Sequence, residues 1–452
     1  DAGTPVTRRR SEFSSDMFCA EIDHEAKTGL ICGFLSQKEQ FGALLSALHP
    51  EPDLRVWANA DCVELRAGAS MPSDWLAWQF FAATDPEPFR VYFEAVAREN
   101  EARARLETPL GWCSWYYYFR DITPSELHKN LQAVAELAPR LPLKFFQIDD
   151  GFEQDVGSWF QFHRNFPDGV AGFPQEIRQK GLTPGIWLAP FILELRSRLI
   201  RRHPNWLLRK QNGQPVNSGF VWEGLGRALD LTHPEASGYV RDVIRTAVEE
   251  WGYPYLKLDF LYAAALPGAH HDPTKTRAQV LRQALELIRE EAGPETILLG
   301  CGCPIGSGIG IFDMMRISAD VSPEWEPNAF GIRKPVRREP NMPCARNAIQ
   351  NILTRAPMDP HWWVNDPDCL LVRADSKLTL AEVQSLASAI SLSGGAVLLS
   401  DDMSQLGEDR LRIAQCLLPV LPPNPQVADL FERSMPSTLR QILQSPDGER
   451  QI

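Results

Sequence analysis

The sequence predicts an α/β fold, a (β/α)8 TIM barrel preceded by part of an antiparallel β-sandwich domain. The first observation is that, from Pro109 onward, eight short apolar runs that end in polar residues alternate with helical stretches. Eight strand–helix repeats over about 300 residues are typical of this barrel. The second observation is that residues 12–100 contain short runs rich in β-forming residues, separated by turn residues. A doubly wound open sheet is the structural alternative, because it uses the same alternation.

The eight predicted barrel strands are short, apolar and bounded by turn or helix signals. In chain order they are 110–115, 144–150, 183–190, 255–260, 297–302, 313–320, 361–368 and 395–401. A long insertion separates the third strand from the fourth, and its "LLRKQNGQPV" predicts a hairpin with an Asn-Gly turn. The fifth and sixth strands are so close in sequence that they leave hardly any room for a full helix.

Helix signals stand between the predicted strands. Thr123 is an N-cap candidate, with Pro124 at the first helical position. The stretch "THPEASGYVRDVIRTAVEEWGY" has the same kind of start and an amphipathic period. The stretch 379–395 ends in two glycines, as expected of a helix C-terminus.

The chain divides into three predicted parts. Residues 1–100 form the partial β-sandwich and a linker, 101–420 the barrel, and 421–452 the start of a C-terminal β-domain that we expect to be truncated. The predicted strands of the first part are 17–23, 28–36, 54–60 and 62–68, followed by a helix over 86–105. The chain has no initiator Met and no apolar segment typical of a signal peptide, so we expect a processed chain or a fragment.

Composition excludes several classes of protein. A formal net charge of -12 argues against nucleic acid or an anionic membrane as a partner, but not against a neutral substrate. No apolar run reaches the roughly 18 to 20 residues of a membrane-spanning helix. The nine scattered cysteines form a poor disulfide framework and indicate a reducing compartment, hence a cytoplasmic location. A homo-oligomer is compatible with the sequence.

No metal or cofactor is predicted. "CGCP" has a single residue between its cysteines and no partner pair nearby, so a zinc site is not expected. His270, His271 and Asp272 lie in a polar stretch that predicts a solvated loop. Neither glycine-rich nucleotide-binding motif follows a predicted strand.

Charged residues gather at the C-terminal ends of the predicted strands, where a barrel carries its chemistry. Lys257 and Asp259 are two residues apart inside an apolar strand, so both point to the same face. Other strand ends contribute carboxylates, an arginine and tryptophans, namely Asp149, Asp150, Arg316, Asp320, Asp366, Asp368, Trp112, Trp115 and Trp187.

This lining suits a carbohydrate. Sugar hydroxyls need hydrogen-bond donors and acceptors, which Asp, Lys and Arg supply, and the apolar face of the ring packs on a flat aromatic surface. Glycoside hydrolysis needs two carboxyl groups that flank one bond. A phosphate substrate would be repelled by so many carboxylates.

The same stretches closely resemble glycoside hydrolase family 36, the bacterial-type α-galactosidases. The resemblance rests on ordered motifs from about residue 108 to 405, namely "LGWCSWYYYF", "QIDDGF", "GIWLAPF", "YLKLDF", "CGCP", "MRISAD" and "WWVNDPDCL" with "SGGAVLLSDD". The preceding strands resemble the last part of the β-sandwich that precedes the barrel in that family. "SPDGERQI" resembles the first strand of its C-terminal β-domain, so both ends are expected to be cut.

The resemblance implies a role for each matching residue. It makes Asp259 the nucleophile and Asp320 the general acid and base. It places Asp149 and Asp150 on the hydroxyls at C4 and C6 of galactose. It makes the remaining residues substrate contacts, namely Lys257, Arg316, Cys301, Trp187 and Trp115. Where the family often has an acidic residue after the third-strand Trp-x, this chain has "WLAP".

Each residue also has a structural interpretation. Asp259 could be the ion-pair partner of Lys257, and Asp320 could cap the next helix. Asp149 and Asp150 could belong to a turn. Trp115, Trp187 and Cys301 could be core residues, and Asp366 and Asp368 could be scaffolding at the strand end.

The implied function is hydrolysis of terminal α-galactosyl residues with retention, by double displacement, on oligosaccharides such as melibiose and raffinose. The alternatives are an α-galactosyl transferase or α-N-acetylgalactosaminidase of the same family, or a non-catalytic sugar-binding barrel. Keeping both Asp259 and Asp320 speaks against the binder, which has no use for the acid.

Overall fold

The computed structural model describes residues 12–48, 51–103, 106–221, 224–328, 339–423, 425–445 and 448–451. Its first part consists of two three-stranded antiparallel sheets, in the orders β1-β4-β5 and β2-β3-β6. Their strands are β1 (Glu12–Asp16), β2 (Phe18–Asp23), β3 (Thr28–Phe34), β4 (Phe41–Ala47), β5 (Asp53–Asn59) and β6 (Leu76–Ala82).

Three of the four strands predicted in this part are present, and the fourth is wrong. Residues 62–68 form no strand, because Asp61 and Cys62 both have positive φ angles and turn the chain. Strands β4 and β6 were not predicted. Their sequences, "FGALLSA" and "LAWQFFA", have no clean alternation of apolar and polar residues, so their pattern does not separate them from loop or helix.

The first three barrel strands are β7 (Leu110–Cys113), β8 (Phe145–Ile148) and β9 (Thr183–Leu188), which pair in parallel. The insertion that follows contains the antiparallel strands β10 (Ile192–Glu194), β11 (Asn217–Val221) and β12 (Gly224–Ala228). The predicted Asn-Gly turn is confirmed, since the amide of Lys210 donates to the carbonyl of Gln214 and the amide of Gly213 to that of Lys210.

The barrel continues with β13 (Tyr255–Leu258), β14 (Ile297–Gly300), β15 (Met314–Arg316), β16 (Val364–Asp366), β17 (Cys369–Leu370) and β18 (Val397–Leu399). The parallel sheet runs in the order β16-β15-β14-β13-β9-β8-β7-β18-β17. Only Pro367 and Asp368 separate its two ends, β16 and β17, along the chain. The ring therefore closes through a broken seventh strand, which confirms the (β/α)8 barrel and excludes the open sheet.

The helices are α1 (Arg90–Glu99), α2 (Trp115–Tyr118), α3 (Pro124–Leu137), α4 (Phe173–Gln179), α5 (Arg198–Arg202), α6 (Pro234–Arg245), α7 (Arg277–Ala292), α8 (Ala345–Arg355), α9 (Leu380–Ser393) and α10 (Glu408–Gln415). Between β14 and β15 there is only a short 3-10 turn at Ile305–Gly308, as the spacing predicted. Strands β19 (Gln426–Val427), β20 (Leu439–Arg440), β21 (Ile442–Ser445) and β22 (Gly448–Gln451) form two small antiparallel pairs after the barrel. Within the described ranges, no helix combines the length and apolar character that crossing a bilayer requires.

Helix caps follow the sequence closely. Thr123 accepts a hydrogen bond from the amide of Glu126, and Thr379 forms a capping box with Glu382. Gly394 ends α9 in the left-handed conformation. The cap of α6 is His233 rather than Thr232, whose hydroxyl donates to Asp230 instead.

The lower interior of the barrel is apolar. Side chains from five positions on or beside the barrel strands form one buried cluster there, namely Tyr255, Leu299, Met314, Val364 and Ala396. Lys257 follows Tyr255 on the same face of β13, one layer closer to the C-terminal mouth. The apolar layer is thus the floor on which the charged residues lie.

Gly185 on β9 gives a test of this packing. A Cβ atom at Gly185 would meet Cδ1 of Tyr255 at 2.2 Å. Because Tyr255 also donates to Gln147 at 2.6 Å, its ring has no free direction to move. Gly185→Ala should lower the free energy of unfolding by about 1–3 kcal/mol, measured by urea denaturation. Gly238→Ala in α6, where no atom lies within 4 Å, should instead raise it by about 0.5–1 kcal/mol. Equal effects of the two substitutions would contradict the packing described.

Candidate active site

The charge of Lys257 is matched by a carboxylate on another strand. Its Nζ atom donates to Oδ2 of Asp149 at 2.8 Å, and both side chains are at most 5% exposed. Burial alone would lower the pKa of Lys257, but the charge of Asp149 outweighs it and the pKa is raised. The alternative interpretation of Asp259 as the ion-pair partner of Lys257 is therefore wrong, because the end of β8, two strands away in the sheet, offers a better-placed acceptor.

Asp149 is saturated by protein donors. Its Oδ2 atom also accepts from Nε2 of Gln147 at 2.7 Å and from the thiol of Cys113 at 3.4 Å. Its Oδ1 atom accepts from the amide of Asp150 at 3.1 Å. Asp149 thus joins β7, β8 and β13, and it serves the scaffold at least as much as a ligand.

Asp259 follows the last residue of β13 and is half-buried at the barrel mouth. Its two oxygens have separate partners. Nε1 of Trp187 donates to Oδ2 at 3.2 Å, and the amide of Phe260 donates to Oδ1 at 2.6 Å. The amide of Asp259 itself donates to the carbonyl of Leu188 on β9. These bonds fix the orientation of the carboxylate.

Arg316 connects three carboxylates with one guanidinium group. Nε donates to Asp366 at 2.9 Å, Nη2 lies 2.9 Å from Asp368, and Nη1 donates to Asp320 at 3.1 Å. The side chains of Arg316, Asp366 and Asp368 are at most 4% exposed, whereas that of Asp320 is 43% exposed. Arg316 was predicted to contact the sugar. Its donors are instead largely used by carboxylates, which favours the scaffolding interpretation of Asp366 and Asp368.

Asp368 occupies the break in the seventh strand, with a φ angle of 76°. One of its oxygens accepts from the hydroxyl of Tyr116 and from the amide of Val321 at 2.7 Å. Through Val321 it holds the segment that carries Asp320. Tyr116 was not singled out by its sequence, since it lies in an aromatic run without a pattern that marks one member.

The pKa of Asp320 is strongly shifted from its ordinary value. Its pKa is raised to about 6, first by burial among the surrounding protein atoms and then by the charge of Asp368, with a smaller contribution from Asp259. Arg316 opposes the shift. The side chain of Asp320 is 43% exposed, so its carboxyl group is reachable from solvent although protein atoms surround it. Of the two carboxylates that raise this pKa, Asp368 contributes more than Asp259.

The other predicted site residues lie around these groups. Cys301 is 5% exposed, and its pKa is raised by burial and then by the charge of Asp259. Trp187 is 1% exposed, so its indole N–H on Asp259, not an open ring face, is what it offers to the site. Trp115 is 6% exposed and packs edge-on against Phe119 at 5.1 Å between ring centroids. Both tryptophans therefore match the core interpretation better than that of open walls.

Asp150 is fully buried beside the site, at the end of β8. Neither of its oxygens accepts a hydrogen bond from a described donor, and Nε of Arg120 lies 3.5 Å from Oδ1. Burial, followed by the charge of Glu153, raises its pKa well above the ordinary value. Glu153 and Arg120 were not predicted, because neither stands at a strand end.

Trp159 is a further residue that the sequence argument missed. It is fully buried, its ring centroid lies 5.7 Å from that of Trp187, and its Nε1 has no acceptor among the described residues. An indole N–H without an acceptor beside the partner of Asp259 is a donor available to a polar ligand. It lies in the loop after β8, where the sequence has no strand signal.

The predicted loop at 270–272 is present and His271 is exposed, but the side chain of His270 is not solvated. The side chain of His270 is 7% exposed and its Nδ1 lies 3.2 Å from Asp230, which also accepts from the amide of His271 at 2.6 Å. Through these contacts Asp230, which follows the insertion, holds residues 270 and 271 in place. No three His, Cys, Asp or Glu residues in the described ranges are grouped so as to hold a metal ion.

Comparisons with known proteins show the family and the fold. The melibiase family profile matches residues 101–290. The solved structure of TtGalA, an α-galactosidase from Thermus thermophilus in complex with p-nitrophenyl α-D-galactopyranoside, is 30% identical and superposes with a TM-score of 0.74. That similarity covers 91% of this chain and 79% of TtGalA. The chain belongs to the melibiase family, glycoside hydrolase family 36.

More distant family members share less of their length with this chain. Alpha-galactosidase 1 of Pediococcus pentosaceus is 25% identical over 238 residues, which are 49% of this chain and 31% of that protein. The chain aligns with 24% of alpha-galactosidase AgaA of Geobacillus stearothermophilus, at 26% identity over 192 residues, or 40% of this chain. The aligned part is thus about a third or less of these relatives. The AgaA structure shares the fold, with a TM-score of 0.63 at 14% identity over 91% of this chain and 57% of that one.

Arg316 gives a test of the charge network in this member of the family. Arg316→Gln leaves Asp366 and Asp368 buried without their cation, which should cost about 3–5 kcal/mol of unfolding free energy at pH 7.5. The deficit should shrink at pH 5. Carboxyls that have lost their cation have raised pKa values in the folded state, so stability is greatest in acid and falls as the pH rises. Urea denaturation followed by tryptophan fluorescence measures the free energy of unfolding at pH 7.5 and at pH 5.

The matched control is Arg140→Gln. Arg140 pairs with Glu408 on the surface, with exposed fractions of 48% and 75%, so its loss should change stability by less than about 1 kcal/mol at either pH. Similar losses for the two arginine variants, or a deficit that does not depend on pH in Arg316→Gln, would contradict the network.

Proposed function

We propose that this chain is a retaining α-galactosidase that removes terminal α-D-galactosyl residues from oligosaccharides such as melibiose and raffinose. The observation that carries the proposal is the pair of carboxyl groups at the barrel mouth. Asp259 is oriented by two hydrogen bonds, and Asp320 has a pKa raised to about 6 in part by the charge of Asp259. Family membership and the complex of TtGalA with p-nitrophenyl α-D-galactopyranoside support the choice of sugar.

In the proposed first step, Asp320 gives its proton to the glycosidic oxygen while the Asp259 carboxylate attacks the anomeric carbon. The bond from that carbon to the leaving oxygen breaks, and a galactosyl ester of Asp259 forms. A general acid with a pKa near 6 remains partly protonated near neutral pH and still transfers its proton readily. Trp187 and the Phe260 amide hold the nucleophile in place.

In the proposed second step, water attacks the anomeric carbon and Asp320, now a carboxylate, takes the proton. The ester bond to Asp259 breaks, and galactose leaves with its original anomeric configuration. Consumption of the Asp259 charge in the ester removes one of the groups that raise the pKa of Asp320. The pKa of Asp320 should therefore be lower in the galactosyl ester than in the free protein. Asp320 is then ionised before the second step and accepts one proton per turnover. The double displacement needs no cofactor, since carboxyl groups carry both steps.

The sugar contacts belong to the same proposal. Asp150 has oxygens without described donors, and Trp159 has an indole N–H without a described acceptor, so both suit galactose hydroxyls. Lys257, Cys301 and Arg316 are further candidate contacts, since the charges of Lys257, Arg316 and both proposed catalytic carboxyls act on the pKa of Cys301. A cytoplasmic location fits the cysteines, all nine of which lie in described segments and are free. The carbohydrate is the proposed partner, and a homo-oligomer stays a prediction.

The function is tested with p-nitrophenyl α-galactoside. Wild type should release nitrophenol and should cleave the α-glucoside far more slowly. Asp259→Ala should lower kcat by about 10^4-fold or more, because no ester can form. Asp320→Ala should lower kcat/KM by about 10^2- to 10^4-fold for melibiose and much less for the nitrophenyl galactoside, whose leaving group needs little protonation.

Azide distinguishes the two carboxyl roles. Azide should rescue Asp259→Ala with β-galactosyl azide as product, since it replaces the nucleophile on the opposite face. It should rescue Asp320→Ala with α-galactosyl azide, since it attacks the galactosyl ester. The same azide anomer from both variants, or faster cleavage of the α-glucoside by wild type, would overturn the assignment. A purely sugar-binding barrel would bind galactose and release no nitrophenol.

The contribution of Asp368 to the acidity of Asp320 predicts a shift in the pH profile. Asp368→Asn removes a negative charge that raises the pKa of Asp320, so that pKa should fall. The activity that requires protonated Asp320 is lost as the pH rises through this pKa, so the alkaline limb of kcat/KM should move to lower pH. The control Asp375→Asn changes an aspartate that is 72% exposed and should leave the profile unchanged. A limb that stays in place in Asp368→Asn would show that Asp368 does not tune the acid.

A further inference from the structure

Asp150 and Glu153 form a buried carboxyl pair beside the proposed site. Both residues are 0% exposed, and they lie side by side in the turn after β8, where the amide of Gly151 donates to Oε2 of Glu153 at 3.4 Å and the charge of Glu153 raises the pKa of Asp150. Both oxygens of Asp150 and the Oε1 atom of Glu153 nevertheless lack a described donor. Two carboxylates have no hydrogen to give each other, so a hydrogen bond between them requires a proton.

The surrounding positive charges compensate only part of the negative charge that these carboxyl groups would carry if all were ionised. Arg120 is the cation of the cluster, with Nε 3.5 Å from Oδ1 of Asp150, and it lowers the pKa of Glu153 and Glu194. Glu194 is 1% exposed and its Oε2 lacks a described donor. The other charged or titratable groups that face these side chains are Asp121, Asp149, Asp155, His163 and Arg196. Several buried carboxyls beside the half-buried guanidinium of Arg120 cannot all be ionised without a large desolvation cost.

We propose that Asp150 and Glu153 share one proton in the free protein, and that Glu153 is a positioning residue that holds Asp150 for one hydroxyl of the sugar. With one proton, the pair carries a single negative charge, which Arg120 balances. Asp149 already accepts from Lys257, Gln147 and the amide of Asp150, so Asp150 is the member of the Asp149-Asp150 motif with lone pairs left for a ligand. The sugar contact rests on the proposed function, and the shared proton does not.

Loss of the shared proton should separate the pair. Burial raises the pKa of both groups, so the proton is kept well above the range in which an exposed carboxyl ionises. Once it leaves, two adjacent carboxylates repel each other and Asp150 is displaced. Binding of the galactosyl group should therefore weaken at alkaline pH, whereas the chemical step, which depends on Asp259 and Asp320, should not depend on this pair.

Glu153→Gln is the sharpest test, because its amide N–H replaces the shared proton at every pH and keeps one negative charge on the pair. For wild type, KM for p-nitrophenyl α-galactoside should rise by about tenfold per pH unit above the pKa of the pair. For Glu153→Gln, KM should stay level over the same range, with the pH profile of kcat unchanged. Glu136→Gln, on the exposed surface of α3, is the matched control and should behave as wild type. Parallel KM profiles for wild type and Glu153→Gln would overturn the positioning role.

The shared proton has a second readout that needs no sugar. A carboxyl with a raised pKa in the folded state contributes stability that is present in acid and lost as the pH rises through that pKa. The melting temperature of wild type should therefore fall more between pH 5 and pH 8 than that of Glu153→Gln, with Glu136→Gln following wild type. Identical pH slopes for all three proteins would overturn the shared proton. If the slopes differ while no galactoside is hydrolysed, the pair stands and the proposed function fails.

Discussion

The ion pairs of Arg316 are the interaction on which the structure of the barrel mouth depends. The guanidinium group of Arg316 binds Asp366 and Asp368 across the break in the seventh strand, where the ring of parallel strands would otherwise be open. Three short strands meet there, and their few backbone hydrogen bonds give little stability to the closure. Ion pairs that are buried on all sides and geometrically well matched hold this point together. The position of Asp320 follows from the same group, since Arg316 is also its partner.

Two separate charge clusters divide the mouth of the barrel. On one side Lys257 neutralises Asp149, and on the other Arg316 neutralises Asp366 and Asp368. Asp259 lies between them and receives only neutral donors, from Trp187 and from a backbone amide. A nucleophile bound directly by lysine would be less reactive, because a strong ion pair stabilises its charge before reaction. The neutral donors orient Asp259 without removing its negative charge.

Much of the fold could be predicted from the sequence, because the eight barrel strands are apolar runs with polar ends and the helices have explicit caps. Thr123, Thr379 and Gly394 fix helix ends by local hydrogen bonds or backbone conformation, and local rules are readable in sequence. The sandwich strands β4 and β6 were missed because their apolar residues do not alternate with polar ones: β4 is buried along most of its length, whereas β6 leaves Trp78 and Phe80 exposed. The location of the site followed from the barrel rule, which places polar strand ends at one rim.

The partners of the site residues could not be predicted in the same way, because they depend on distances between strands. Residues two apart on β13 share a face, yet Lys257 is closer to Asp149 on β8 than to a carboxylate on its own strand. The acidity of Asp320 has the same origin. Burial raises its pKa first, and the charge of Asp368 then raises the pKa further, against the opposing charge of Arg316. That acidity therefore depends in part on a residue nearly 50 positions away in the chain, Asp368, which is held in place by the bond between its carboxylate and the amide of Val321. A sequence can name the two carboxyl groups at the barrel mouth, whereas the different surroundings of the two groups are a property of the network that closes the barrel.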